Sequence, residues 1–273
     1  MNRIHDLCGS IVKRKGESMA RGIKELVLND RDRFVLFLLD KFRALDVKSL
    51  MVLAGFSSVN YADIRLLKLA KYGYIKREKL VSNLPIVHWL TKKGYFEIKD
   101  EDKRIAKPAL ATVEHEILIG RVASHLVLKN GVAVNQMITD RDLRVYQGKG
   151  KDNRIMKRKS DLLYIEPATN KKIAVEIELN YKGKSRTEQN YKNNQRFSDK
   201  QIWFISKRKK VLMKQLEELG AELFYIEDLE IEPFEHETDY NIELSQVELI
   251  KQYFAGGTLS FEKKGSLLDK WKD

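Results

Sequence analysis

Three acids and a following group of cations, between Asp161 and Arg186, are the residue types that phosphodiester chemistry uses. Asp161 precedes the apolar run LLYI, and Glu176 and Glu178 stand one residue apart in KKIAVEIELN. Lys182, Lys184 and Arg186 follow in YKGKSR. Side chains alternate along a strand, so Ala174, Glu176, Glu178 and Asn180 share one face and Ile173, Val175, Ile177 and Leu179 the other. Asp161, Leu163 and Ile165 likewise share a face of the preceding run. If PATN is a four-residue hairpin loop, Asp161 falls opposite Glu176; with a six-residue loop it falls opposite Glu178. Either register gathers the three acids on one side, where they repel one another unless protons or a cation intervene. Hard oxygen ligands suit Mg²⁺ or Mn²⁺, held by Asp161, Glu176 and Glu178. Such an ion polarises a phosphodiester and activates a water. Lys182, Lys184 and Arg186 would hold phosphate oxygens or stabilise developing charge. The competing reading is an edge strand whose acids pair with nearby lysines.

The elements that must position these residues read as an α/β region beginning at Ala109. TVEHEILIGRVASHLVLKNG is an amphipathic helix closed by Gly131, with His115 near its start as a candidate for proton transfer or for hydrogen bonding. VAVNQMI is a strand candidate, and DRDLRVYQGKGKDNRIMKRK a basic, glycine-containing segment. In that segment Asp140 and Asp142 either add carboxylates to the site or pair with Arg141 and Arg144. The two acid-bearing strands follow, then a polar helix near SRTEQNYKNNQRF, strand QIWFIS, helix KRKKVLMKQLEELG and strand AELFYIE.

Upstream, Asn29-Asp30 caps a helix with Phe34, Leu38 and Phe42 at helical spacing. Asp46 opens a short helix ended by Gly55, and Ser57 or Ser58 caps a third ended by Gly73. YIKREKL and PIVHWL alternate like a hairpin, and Thr91 starts a further helical piece. Three helices and a hairpin are the order of a winged helix-turn-helix, whose third helix enters a major groove. Its apolar side is expected to hold Val59, Ile64, Leu67 and Ala70. Asn60, Tyr61, Arg65 and Lys68 then face DNA, with the cap Ser58 beside them, and Lys76, Arg77 and Lys79 approach phosphates from the wing. A helical protein-interaction domain has the same topology.

The acid hairpin SDLLYIEPATNKKIAVEIELNYKGKS resembles the core of the PD-(D/E)XK nuclease superfamily, with Asp161 and Glu176 in its two acid slots. More narrowly, the three-helix-and-hairpin segment, VEHEILIG with His115, TDRDLR, the acid hairpin and EIELNYKGKSR together resemble the replication-relaxation family and the related MobC-type plasmid relaxases, from about Asn29 to Asp228. That resemblance implies a restriction-endonuclease-like mixed-sheet domain behind the winged helix, and a protein that recognises an origin on plasmid or mobile-element DNA and in some cases nicks it. Glu178 departs from the pattern, since a lysine belongs in its slot; Lys182 or Lys184 would have to supply the charge. The rival reading is a non-catalytic accessory or regulatory DNA-binding protein with a degenerate nuclease fold.

Other chemistries are excluded by type and spacing. The histidines, at 5, 88, 115, 125 and 236, contain no pair separated by one apolar residue, as the two-histidine relaxases need, and no GxxxxGK[ST] loop binds a nucleoside triphosphate. Tyr181 and Tyr191 are the tyrosines nearest the acids. Cys8 is the single cysteine, so no internal disulfide or cysteine-built zinc site forms. With no apolar run near membrane length, a cytoplasmic protein is expected. The net charge of +12 is uneven: two basic stretches precede Glu217 to Ile250, which contains no Lys or Arg. A polyanion, most simply DNA, is the expected partner, together with transfer-complex proteins and a second copy of the chain. The expected division is a basic arm (1–28), a winged helix (29–98), a linker (99–108), the nuclease-like region (109–228), and an acidic segment and tail (229–273).

Overall fold

Asn29 opens the first helix by accepting from the Asp32 backbone N–H while the Asp32 carboxylate accepts from the Asn29 N–H. This reciprocal cap starts α1 (Asp30–Phe42), whose Phe34, Leu38 and Phe42 are buried as their spacing predicts. The computed structural model describes residues 26–99, 105–149, 160–233 and 246–255. Most of the basic arm, part of the linker and most of the C-terminal region therefore lie outside the described residues. After β1 (Leu45–Asp46), Asp46 caps α2 (Val47–Leu53) through the Ser49 N–H at 2.8 Å, and Ser58 caps α3 (Val59–Lys71) through the Tyr61 N–H at 3.2 Å. β2 (Ile75–Glu78) and β3 (Val87–Leu90) are shorter than their sequence runs. With β1 they make an antiparallel three-stranded sheet in the order β1-β3-β2. α4 (Lys92–Phe96) is capped by Thr91 and lies so close to the start of β2 that a Cβ on Gly94 would stand 2.1 Å from the Tyr74 carbonyl oxygen.

α5 (Val113–Asn130) ends at Gly131, held at φ 64°, a conformation that favours glycine. The expected strand VAVNQMI is instead one 3₁₀ turn, Val134–Gln136, followed by the two-residue β4 (Ile138–Thr139). The Gln136 side chain accepts from the Ala133 N–H at 3.3 Å, which favours the local turn over extension. The basic, glycine-containing segment, given no element from its sequence, then begins as α6 (Asp140–Lys149). Thr139 and Asp142 cap it reciprocally, Asp142 N–H to Thr139 Oγ1 at 3.1 Å and Thr139 N–H to the Asp142 carboxylate at 2.8 Å.

The second sheet contains β5 (Leu162–Ile165), β6 (Lys172–Glu178), β7 (Lys200–Ile205) and β8 (Glu222–Tyr225), in the order β4-β5-β6-β7-β8. β4, β5 and β6 pair antiparallel; β6, β7 and β8 pair parallel through α7 (Lys184–Gln195) and α8 (Lys210–Glu218). The protein is thus a mixed α/β fold with two sheets. The β5–β6 register pairs Leu162 with Val175, and Glu166 N–H meets the Lys171 carbonyl at 2.8 Å, so PATN is the four-residue loop.

The strand alternation decides what each face meets. Ile173, Val175 and Ile177 join one hydrophobic cluster with α5 residues Leu118, Val122 and Leu126 and with the cores of α1, α2 and α3. Burying each such side chain contributes roughly 1.5–3 kcal/mol. Gly120 lets α5 approach β1 and α2: a Cβ there would lie 2.2 Å from Leu45 Cδ2. The opposite face, with Leu163, Ile165 and Ala174, packs on Leu249, Ile250 and Tyr253 of α9 (Gln246–Ala255). Among the described residues no helix is long and apolar enough to cross a membrane.

The α3 phase differs from expectation. Its buried side chains are Ala62, Leu66 and Leu69, with Val59 and Ala70 packed at the margin. Ile64 and Leu67 are exposed, at 56% and 46%. Ala62 and Leu66 serve as the contact row because their shared stripe with Leu69 points at the core.

Candidate functional site

The four-residue loop sets Asp161 opposite Glu176 by continuation of the β5–β6 register, with Glu178 two residues on along the same face. Asp161 sits just before β5, and its Oδ2 accepts from the Ile177 backbone N–H at 2.8 Å. That bond ties the start of β5 to the end of β6. His115, in the first turn of α5, brings Nε2 within 3.2 Å of the same Asp161 oxygen and 3.1 Å of the Ile177 carbonyl. Both partners are acceptors, so this nitrogen carries a proton. Burial disfavours the charged ring, but the hydrogen bond and charge of Asp161, with the Ile177 carbonyl, outweigh it and raise the His115 pKa to about 9.

Two of the three acids, Glu178 and Glu176, are buried, and the effect is large on Glu176. Burial, followed by the charge of Asp161 and a smaller push from Glu178, raises its pKa to about 8, against relief from Asn194 and Lys182. Asn194, on α7, donates to Glu176 Oε1 at 2.7 Å. Lys182 Nζ lies 2.8 Å from Glu178 Oε2, its own side chain 41% exposed. His115 is therefore favoured in its charged form beside Asp161, Lys182 forms an ion pair with Glu178, and the Glu176 carboxyl is pushed toward its protonated form.

Asn194 is absent from the candidates that spacing suggests, although a signal was present. α7 has no apolar face, and its buried side chains are Thr187 and Asn194, seven residues apart and hence on one side. A helix that turns polar residues to a sheet is covering something polar. The carboxylate donors suit a hard divalent cation, and after burial the charge of Asp161 is the next cause of the raised Glu176 pKa. Among the described residues, however, no three His, Cys, Asp or Glu side chains converge into a formed metal cage. Lys184 and Arg186 are exposed in the first turn of α7, beside the trio in sequence and turned to solvent. Asp140 pairs with Arg144 at 2.5 Å, while Asp142 takes the buried Lys41 at 2.8 Å and Arg141 takes Asp40 at 2.6 Å. Neither Asp140 nor Asp142 joins the trio. Tyr181 is exposed, and Tyr191 packs against the α8 side of the sheet.

The expected DNA-facing residues divide. Asn60, Tyr61 and Lys68 are exposed on α3, and Lys76 and Lys79 on and after β2. Ser58 gives its hydroxyl to the α3 cap. Arg65 turns inward: its guanidinium forms two bonds to the fully buried Asp32, one from Nε at 2.6 Å and one from Nη2. Arg77 donates to Asp63 of α3 at 2.8 Å and is mostly covered. Both arginines hold α3 to its neighbours in this conformation. No family model, curated protein or solved structure matches the chain.

Proposed function

We propose that this chain is a DNA-binding protein of plasmid or mobile-element transfer or replication, with a relaxase-like, metal-dependent nicking site on the β5–β6 hairpin. The observation that carries this reading is the acid–acid–lysine arrangement: Asp161 across from Glu176 in register, and Lys182 at 2.8 Å from Glu178. The lysine missing from the Glu178 slot is supplied from four residues downstream. The sheet order supports a nuclease-like fold, since an antiparallel hairpin continues through a helix into parallel strands. The order of α1 to α3 and a basic hairpin, with Asn60, Tyr61, Lys68, Lys76 and Lys79 exposed, supports a winged helix that positions the protein on DNA.

Mg²⁺ or Mn²⁺, held by Asp161, Glu176 and Glu178, would supply polarisation of the phosphodiester and an activated nucleophile. The chain's own groups do the rest. Lys182 exchanges Glu178 for a phosphate oxygen, and exposed Lys184 and Arg186 add charge at the start of α7. Protonated His115 holds Asp161 in place and delivers a proton to the leaving oxygen. The accessory reading is favoured by one observation: the acids are already balanced by His115, Lys182 and a proton.

Supercoiled plasmid carrying the candidate origin decides between them. Wild type with Mg²⁺ or Mn²⁺ should yield relaxed circles, and Asp161→Asn should abolish nicking while leaving origin binding within about twofold, because it removes no group that touches phosphate. Nicking by Asp161→Asn at the wild-type rate would refute the site. Tight binding without nicking under either metal would establish the accessory role.

A further inference from the structure

Next to the hairpin acids, a cleft of about 510 Å³ opens between the end of α1, β3 and the first turns of α5 and α6. Its volume lies within the range of small-ligand pockets. Phe42, Trp89 and Ile119 contribute an apolar wall, Arg43 and Arg144 line it with charge, and His115 and Asp161 form the side shared with the proposed nicking site. Glu116, on α5, is 6% exposed within this lining. Its Oε1 accepts from Thr112 Oγ1 at 3.2 Å and faces Arg43 Nη1 at 3.4 Å. Its Oε2 is buried and has no hydrogen-bond partner among the described residues. A buried carboxylate oxygen is strongly disfavoured without a donor, so a ligand with a donor edge is the natural complement. Arg43 has a further peculiarity: a non-glycine residue at φ 67°, its side chain 54% exposed. Such a backbone conformation is uncommon and concentrates at functional positions.

We propose that this cleft takes a single unstacked nucleotide of the DNA strand, its base against Phe42, Trp89 and Ile119, an amino group of the base donating to Glu116 Oε2, and its phosphate at Arg43 and Arg144. The proposal rests on the DNA-processing reading above and adds a selectivity to it. Adenine, cytosine and guanine carry an exocyclic amine, whereas thymine does not. The apolar wall accommodates the flat base, as in enzymes that draw a base out of its stack. The wall shared with His115 and Asp161 makes the bound nucleotide a neighbour of the phosphodiester to be cut. Arg43 and Arg144 already pair with Glu116 and Asp140 respectively, so the phosphate joins existing ion pairs.

Calorimetry on the full chain without metal, using dAMP, dCMP, TMP and deoxyribose 5-phosphate, tests the cleft without requiring nicking. The expected result is a preference of roughly five- to tenfold for dAMP and dCMP over TMP, about one hydrogen bond, with the sugar phosphate, which lacks the base, weaker than TMP. Glu116→Gln should erase that preference. Arg144→Ala, at a side chain 67% exposed and unimportant to the core, should weaken all four alike. A single-stranded DNA trinucleotide should bind more tightly than dAMP, and the same trinucleotide with a central abasic residue should lose the gain. No binding, or an unchanged preference in Glu116→Gln, overturns the proposal. Tighter binding of free dAMP than of the trinucleotide assigns the cleft to a free nucleotide and overturns the strand ligand. Nucleotide preference without plasmid nicking would keep the cleft and remove the nicking function; nicking without nucleotide preference would do the reverse.

Discussion

Replacing Glu176 by Gln isolates the charge held inside the hairpin. The carboxyl has a pKa of about 8 in the folded protein against the ordinary 4.5, chiefly from burial and then from Asp161. The folded chain therefore retains a proton that the unfolded chain releases. This stabilisation is complete below about pH 4.5 and is lost as pH rises through about 8. At about 1.4 kcal/mol per unit the upper figure is about 4 kcal/mol by pH 8, and about 2–4 is expected. Glu176→Gln keeps the size and an acceptor for Asn194 but has no proton to lose. Denaturant unfolding at pH 5 should give wild type and variant stabilities within about 1 kcal/mol, because the wild-type residue is then largely neutral. At pH 8 the variant should be more stable by about 2–4 kcal/mol. His115, whose pKa is raised to about 9, loses its own contribution as pH rises between about 6.5 and 9 in both proteins, so the difference between them isolates Glu176. Circular dichroism and tryptophan fluorescence should report the same transition before free energies are compared. An equal wild-type and variant difference at both pH values would refute the buried-proton reasoning. The same pair of proteins examines the cation: Mn²⁺ should raise the wild-type melting temperature more at pH 8 than at pH 6, since metal and proton compete, and should not shift the variant.

Arg65→Ala should cost about 3–5 kcal/mol of stability by leaving Asp32 buried without its partner; a salt slope of DNA binding unchanged in a variant still folded at low temperature would agree with its inward position. Combined substitution of Lys68, Lys76 and Lys79 by Ala should leave the fold intact and flatten the plot of log affinity against log salt by about one unit for each phosphate no longer neutralised, with wild-type slope as the contrary result. Gly94→Ala should destabilise by about 3 kcal/mol or more, because the new methyl meets backbone, not a movable side chain; a melting temperature equal to wild type would show that α4 can move off Tyr74.

Local signals were legible without the structure wherever adjacent residues decide the outcome. Asn29, Asp46, Ser58 and Thr91 act on backbone N–H groups three positions away, so each helix start could be placed from its cap. Period-2 alternation put Glu176 and Glu178 on one face, and the turn residues PATN offered the register that sets Asp161 opposite Glu176. Thr139 and Asp142 carry the same kind of signal, a cap spaced by three, masked by the glycines and lysines of the stretch that follows. The remainder depends on which surfaces meet. The α3 stripe offered two apolar phases, and only its packing against the core put Leu66 and Leu69 inside and Ile64 and Leu67 outside. Arg65 reaches Asp32 across 33 positions, and His115 reaches the Ile177 carbonyl across 62. No local spacing encodes such pairs. The sequence by itself determined which residues could carry charge and on which strand face they stood; the tertiary structure decided which of those charges were neutralised, because burial and the choice of partner exist only once distant elements have packed.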